Sequence, residues 1–135
     1  NKSNTYVAVT KVPELDFYRY LDGITGDGAV NSCISDLQKW DNALREYKLL
    51  SKDEFNVAIQ PVQLKNELSE YGFGWELQTN NDYQKLLYHS GSWGGNMNFI
   101  LHFLDKDITV ILLSNNEYFN VEKFAYTIGD LMNKE

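Results

Sequence analysis

The chain has 135 residues, of which 43% are hydrophobic and 23% charged, a length and balance that fit one globular domain. Its formal net charge of −7, with no cluster of Lys and Arg, excludes recognition of a phosphate backbone and docking to an anionic membrane surface. A single cysteine, Cys33, excludes an internal disulfide and a cysteine-built metal cage, and leaves the redox compartment open.

The first element in chain order is a short alternating segment, Tyr6-Val7-Ala8-Val9, that reads as a strand and is broken by Val12-Pro13. Leu15 to Leu21 is aromatic without a clear period, and Asp22 to Gly28 is loop, rich in glycine and aspartate. A helix follows. Ser32 is placed to cap it, Asp36 falls in its first turn, and Ile34, Leu37, Trp40 and Leu44 share one face. Ser51-Lys52-Asp53-Glu54 opens a second, shorter helix with a capping box, and Pro61 stops it.

After the polar linker Gln63 to Glu70 the period changes to two. Tyr71, Phe73, Trp75 and Leu77 point one way, Gly72, Gly74 and Glu76 the other. Thr79 to Asp82 reads as a hairpin turn, Tyr83 to His89 as the returning strand, and Asn96 to Leu104 as the next one. Asp105-Lys106-Asp107 turns the chain into Ile108 to Leu113, an apolar run that predicts a strand buried on both faces inside the sheet. Val121, Phe124, Ala125, Ile128, Leu131 and Met132 mark an amphipathic helix able to lie across that sheet. Helices before and after sequential strands predict an α+β fold with an antiparallel sheet. The organisation expected is one domain or domain fragment, with loops and helices over 1–62 and the sheet plus its C-terminal helix over 63–135. No targeting segment or spanning apolar run stands out, and a chain that opens on Asn1 reads as an excised or processed piece.

Several chemical signals are weak. Two histidines without a third ligand at suitable spacing do not make a zinc site, and Asp105 and Asp107 lack the further oxygens of a calcium loop. Gly26-Asp27-Gly28 has no Lys-Ser/Thr after it and is not a phosphate loop. No cofactor is expected. His102, among alternating apolar neighbours, reads as a solvent-facing or satisfied histidine, and Cys33, at a helix start, as a small buried residue. The stretch His89-Ser90-Gly91-Ser92-Trp93-Gly94-Gly95 differs, because a cationic residue, two hydroxyls and glycines lie between two strands. Spacing alone leaves two readings open: a glycine-rich connection, or a strand edge that takes an extended acyl substrate as an added strand, with a backbone N–H aimed at an oxyanion.

Four segments resemble, in the same order, the serine beta-lactamase and penicillin-binding-protein-like hydrolases, in the branch of class C beta-lactamases, D-alanyl-D-alanine carboxypeptidases and esterases. They are Gly26 to Ser32 with Ser35-Asp36-Leu37-Gln38-Lys39-Trp40, then Tyr71-Gly72-Phe73-Gly74-Trp75, then His89-Ser90-Gly91 with Gly95, and last Leu112-Leu113-Ser114-Asn115. The resemblance runs from Gly26 to Asn115 and implies the C-terminal portion of that fold. It implies that His89 stands at the cation of the third active-site motif, that Ser90 offers its hydroxyl to substrate or proton network, and that Gly91 keeps the strand edge open. It also gives the Ser92 N–H an oxyanion role and makes Trp93 a wall of the pocket. Histidine in place of lysine resembles the peptidase and esterase branches, and makes the cation pH-dependent.

The departures bear on activity. No Ser or Thr is followed by Lys three residues later, and Tyr118-Phe119-Asn120 spells the family's Tyr-x-Asn only after His89, out of order. Acyl transfer needs an activated hydroxyl. This chain alone is therefore expected to be inactive, with the nucleophile and the strands that complete the sheet upstream. The partners implied are a small-molecule or peptide acyl substrate, the missing N-terminal part, or a second copy that pairs through an open sheet edge. The resemblance implies a secreted, periplasmic or cell-envelope location, which the chain itself does not specify. The rival reading is a non-catalytic relative or a carbohydrate- or peptidoglycan-binding module, which the Tyr- and Trp-rich composition suits.

Overall fold

Period-two patterning in the second half of the chain builds a four-stranded antiparallel meander in a computed structural model. The structure describes residues 6–7, 14–15, 24, 28, 30–78 and 85–132. The sheet order is β3 (Glu76–Gln78), β4 (Leu86–Trp93), β5 (Asn96–Phe103) and β6 (Ile108–Ser114). Among the described residues α1 (Ile34–Arg45) and α2 (Lys52–Ala58) precede it, and α3 (Val121–Met132) follows. The fold is α+β, as expected. A separate two-stranded ladder pairs β1 (Tyr6–Val7) with β2 (Glu14–Leu15) in the register Tyr6↔Leu15. The expected continuation over Ala8 and Val9, the rest of Leu15 to Leu21 and the turn at Thr79 to Asp82 lie outside the described residues.

Each face of the sheet has its own core, because successive side chains of a strand point to opposite sides. On one face Leu86, Phe99, Leu101, Phe103 and Val110 pack under Val121 and Ala125 of α3. On the other, Leu87 meets Leu44 of α1, Phe55 of α2 and Trp75. Burying one such side chain contributes about 1.5–3 kcal/mol, so these two clusters hold helices and sheet together.

Local chemistry explains the helix ends. The capping box at Ser51 forms as expected: its hydroxyl accepts from the Glu54 N–H, and Glu54 accepts from the Ser51 N–H at 2.8 Å. The Ser51 hydroxyl, which donates to Glu54 Oε2 at 2.7 Å, and then the Ser51 N–H favour the charged carboxylate and hold the Glu54 pKa below its ordinary value. The cap of α1 is Cys33 and not Ser32, and its side chain makes no capping hydrogen bond. Cys33 is exposed, contrary to expectation, with its thiol 3.1 Å from the Ser35 hydroxyl.

Other expectations from period fail in instructive ways. On α1 the buried positions are Asp41 and Leu44, while Ile34 and Trp40 stay exposed. On α3 they are Val121, Ala125 and Gly129, with Phe124, Leu131 and Met132 exposed. Among the described residues β6 is the last strand of the sheet, and Leu113 is exposed rather than interior.

Candidate active site

The segment Tyr71 to Trp75 is a tight turn and not the expected strand. Gly74 has φ 81°, the Gly72 N–H bonds to the Trp75 carbonyl at 2.8 Å, and Tyr71 folds back onto Glu76 as an isolated bridge. Phe73 is 71% exposed while Trp75 is buried, so no alternation survives. The turn is fixed to the end of α2, where the Phe73 N–H reaches the Ala58 carbonyl at 2.9 Å. A Cβ on Gly72 would lie 2.3 Å from that carbonyl oxygen, so only glycine allows this approach.

Because of that turn β3 starts at Glu76, and among the described residues it pairs with β4 through Glu76↔Tyr88, Leu77↔Leu87 and Gln78↔Leu86. β4 itself does not end at His89 as expected. It runs on to Trp93 and reverses through Gly94 and Gly95, at φ 53° and 74°. Two successive positive φ angles make the two-residue turn that matches strand twist, and such a turn closes on a pair exchanging both hydrogen bonds, here Trp93↔Asn96. Counting back along β4, Gly91 and His89 also turn their backbone groups to β5. Ser90 and Ser92 turn theirs outward, where no described strand pairs with them beyond Tyr88. The result is an open strand edge that carries the N–H of Ser92.

The ladder also assigns side chains to faces. His89 and Gly91 lie on the face of α1 and α2, in register with Ile100 and Asn98, and Ser90 and Ser92 lie on the opposite face. The His89 ring is held at both nitrogens: Nδ1 is 2.7 Å from the Ser90 carbonyl oxygen and Nε2 is 2.9 Å from the Tyr71 hydroxyl. A Cβ on Gly91 would touch only Asn98 Cβ, at 3.9 Å, so the space above it is open. Beyond it Ile100 and Ile111 are half-buried and Leu113 is exposed. Trp93 is exposed at the hairpin, where the Asn96 amide donates to its carbonyl at 3.1 Å. The structure thus brings His89 and Gly91 together on one face and puts the backbone of Ser90 and Ser92 on the adjoining edge. Tyr71 joins them although sequence reading gave it no role; the glycines that bracket Phe73 were the signal for the turn that delivers it.

A second titratable cluster lies on the same face. His102 is 3% exposed, neither solvent-facing nor fully satisfied, with Nδ1 3.1 Å from the Thr109 hydroxyl and 3.3 Å from Asp41 Oδ1. Its ring meets the Trp75 ring edge-on at 4.9 Å, and Nε2 has no hydrogen-bond partner among the described residues. Burial pushes its pKa down to about 4; Asp41 opposes that shift and Arg45 adds to it. At neutral pH His102 is therefore uncharged, and its contact with Asp41 is not an ion pair. Asp41, 2% exposed, is paired instead with Arg45 Nε at 3.0 Å, and Arg45 also reaches Asp107.

Asn120, from the Tyr-x-Asn that falls out of order, caps α3 by accepting from the Lys123 N–H at 2.8 Å. No group of three metal-ligating side chains is close enough to hold an ion, among the described residues.

A sequence model of the family described as Beta-lactamase matches residues 2–130. The chain belongs to the beta-lactamase family. It is 42% identical over 116 residues to penicillin-binding protein 4* of Bacillus subtilis (strain 168), which covers 85% of this chain and 26% of that protein. It superposes with a TM-score of 0.78 on an octameric penicillin-binding protein homologue from Pyrococcus abyssi, at 25% identity, covering 97% of this chain and 31% of that one. The chain thus spans about a quarter to a third of the length of these relatives. Membership makes it a relative of the beta-lactamase and penicillin-binding-protein-like serine hydrolases, with the antiparallel sheet and flanking helices of that fold.

Proposed function

We propose that this chain is the C-terminal portion of a serine hydrolase that transfers an acyl group from a peptide, beta-lactam or ester substrate. In this reading it supplies one wall of the active site and not the nucleophile. The observation that carries it is the open edge of β4, where Ser92 turns its backbone outward next to His89 and Gly91. An extended substrate adds along that edge as a strand, its main chain bonding to Ser90 and Ser92. The Ser92 N–H then serves as one oxyanion donor, and His89, when protonated, offsets the substrate's negative charge. Gly91 leaves the room that an acyl group needs. Trp93 walls the far end.

The attacking hydroxyl comes from outside residues 1–135, across the face that carries His89 and Gly91. By itself the chain is inactive. Carboxypeptidase and esterase activities are the finer assignments that a histidine in place of lysine favours, and a penicillin-binding relative supports work in or beyond the cell envelope. No helix among the described residues is long and apolar enough to cross a membrane. The octameric relative supports self-association of the whole protein.

The test is hydrolysis of a D-alanyl-D-alanine peptide, a chromogenic beta-lactam and a short-chain ester by the polypeptide that contains this chain. His89→Ala is expected to lower kcat/KM on the preferred substrate by about 100-fold with the fold intact, the scale of losing one electrostatic stabiliser. Unchanged kcat/KM in that variant would overturn the assignment. If all three substrates remain uncleaved while the same polypeptide binds a peptidoglycan fragment, the binding-module reading is the right one.

A further inference from the structure

The bonds of His89 fix more than its place. A carbonyl oxygen only accepts, so the 2.7 Å contact with Ser90 puts a proton on Nδ1. In the neutral ring Nε2 is then a lone pair, and the hydroxyl 2.9 Å away must donate to it. When the ring is protonated the sense of that bond reverses, and Nε2–H donates to the Tyr71 oxygen. Either way the same two partners hold the ring. Tyr71 itself is fixed, since its backbone bridges to Glu76, Gly72 behind it is pressed against the Ala58 carbonyl, and its ring meets the imidazole edge-on at 6.0 Å.

From this we propose that Tyr71 is the positioning residue of His89. It occupies Nε2 of the tautomer that the Ser90 carbonyl fixes, and keeps the ring in one place in both protonation states. The proposal deepens the reading of His89 as the cation of the site. One consequence is that neutral His89 has no free lone pair with which to take a proton from substrate; its role is that of an oriented charge. Another concerns selectivity on the open edge. The Ser90 carbonyl, turned outward by the strand alternation, is already bound by Nδ1–H. An added strand therefore finds the N–H of Ser90, both backbone groups of Ser92, and a Ser90 carbonyl that already accepts one hydrogen bond.

The experiment is ring-nitrogen NMR on the 15N-labelled full chain above pH 8, compared with Tyr71→Phe. In the unsubstituted chain His89 Nδ1 is expected to show the shift of a protonated ring nitrogen and Nε2 that of a hydrogen-bonded lone pair. In Tyr71→Phe the Nε2 resonance moves toward that of an unbonded ring nitrogen, while the His102 resonances stay put and report an intact fold. A proton on Nε2 in the unsubstituted chain, or an Nε2 resonance unmoved by the substitution, overturns the proposal. In the active polypeptide Tyr71→Phe is expected to cost about 10–100-fold in kcat with KM little changed, the scale of a misplaced group. If the unsubstituted polypeptide hydrolyses nothing, the proposed function fails and the ring resonances still decide the role of Tyr71.

Discussion

The two histidines stand on the same face of the sheet, within one pair of adjacent strands, and have opposite environments. His102 is buried under Trp75 beside a buried carboxylate, with its pKa pushed down to about 4 and Nε2 without a hydrogen-bond partner among the described residues. His89 is exposed on an open strand edge, with both ring nitrogens engaged. A strongly shifted titratable group is a common pointer to an active site, and under the proposed function it points to the wrong histidine. His102, Asp41, Arg45 and Thr109 join α1 to β5 and β6, so their chemistry is structural. The proposed function gives the substrate the open backbone beside His89.

Breaking the buried cluster should give the largest effect. Asp41→Ala removes the carboxylate that pairs with Arg45 and faces His102, leaving Arg45 with Asp107 and Asn42 and His102 Nδ1 with Thr109 alone. About 3 kcal/mol of unfolding free energy should be lost in urea titrations, at the low end for a broken buried pair because Arg45 is part-exposed. A loss below 0.5 kcal/mol, the scale of ordinary surface changes, would remove the cluster from the account.

The pH dependence comes next. The folded pKa of His102, about 4, lies below the ordinary 6.5, so the fold favours the neutral ring. Above pH 6.5 neither state binds the proton, and this contribution to stability is fully present. As the pH falls from 6.5 toward 4 the unfolded chain takes the proton and the folded chain does not, so stability declines with acidification. The loss is on the order of 2–3 kcal/mol across that window. Carboxylates held low, such as Glu54, add to the decline at lower pH, so the slope is measured against His102→Gln, which should be flatter between pH 6.5 and 4.5.

The smallest stability effect belongs to the other histidine. His89→Ala removes an exposed ring and should change the unfolding free energy by no more than about 0.5 kcal/mol. A destabilisation comparable to that of Asp41→Ala would erase the distinction between the two regions.

Much of this contrast was legible in the sequence, and the rest was not for local reasons. The order of elements, the capping box at Ser51 and the glycine-rich stretch after His89 follow from short-range chemistry that one sequence displays. The extent of β4 did not follow, because Gly94-Gly95 serves equally as loose connection and as a two-residue hairpin turn, and only the pairing of Trp93 with Asn96 decides. The role of Asp41 was hidden for a different reason. Period placed Trp40 inside, but burial of a carboxylate requires Arg45 one turn on and His102 from a strand, a contact across 61 positions that no local pattern encodes. Tyr71 shares that difficulty. Its partner lies 18 residues away, and the bond exists only because Gly72 and Gly74 turn the chain back.

The central claim is that this chain orients and stabilises an acyl substrate while another part of the polypeptide attacks it. Peptide mapping by mass spectrometry after reaction with a penicillin or fluorophosphonate probe tests this directly. A covalent adduct is expected on a serine outside residues 1–135, with no labelling of the isolated chain. An adduct on Ser90, Ser92 or any other serine within the chain would contradict it.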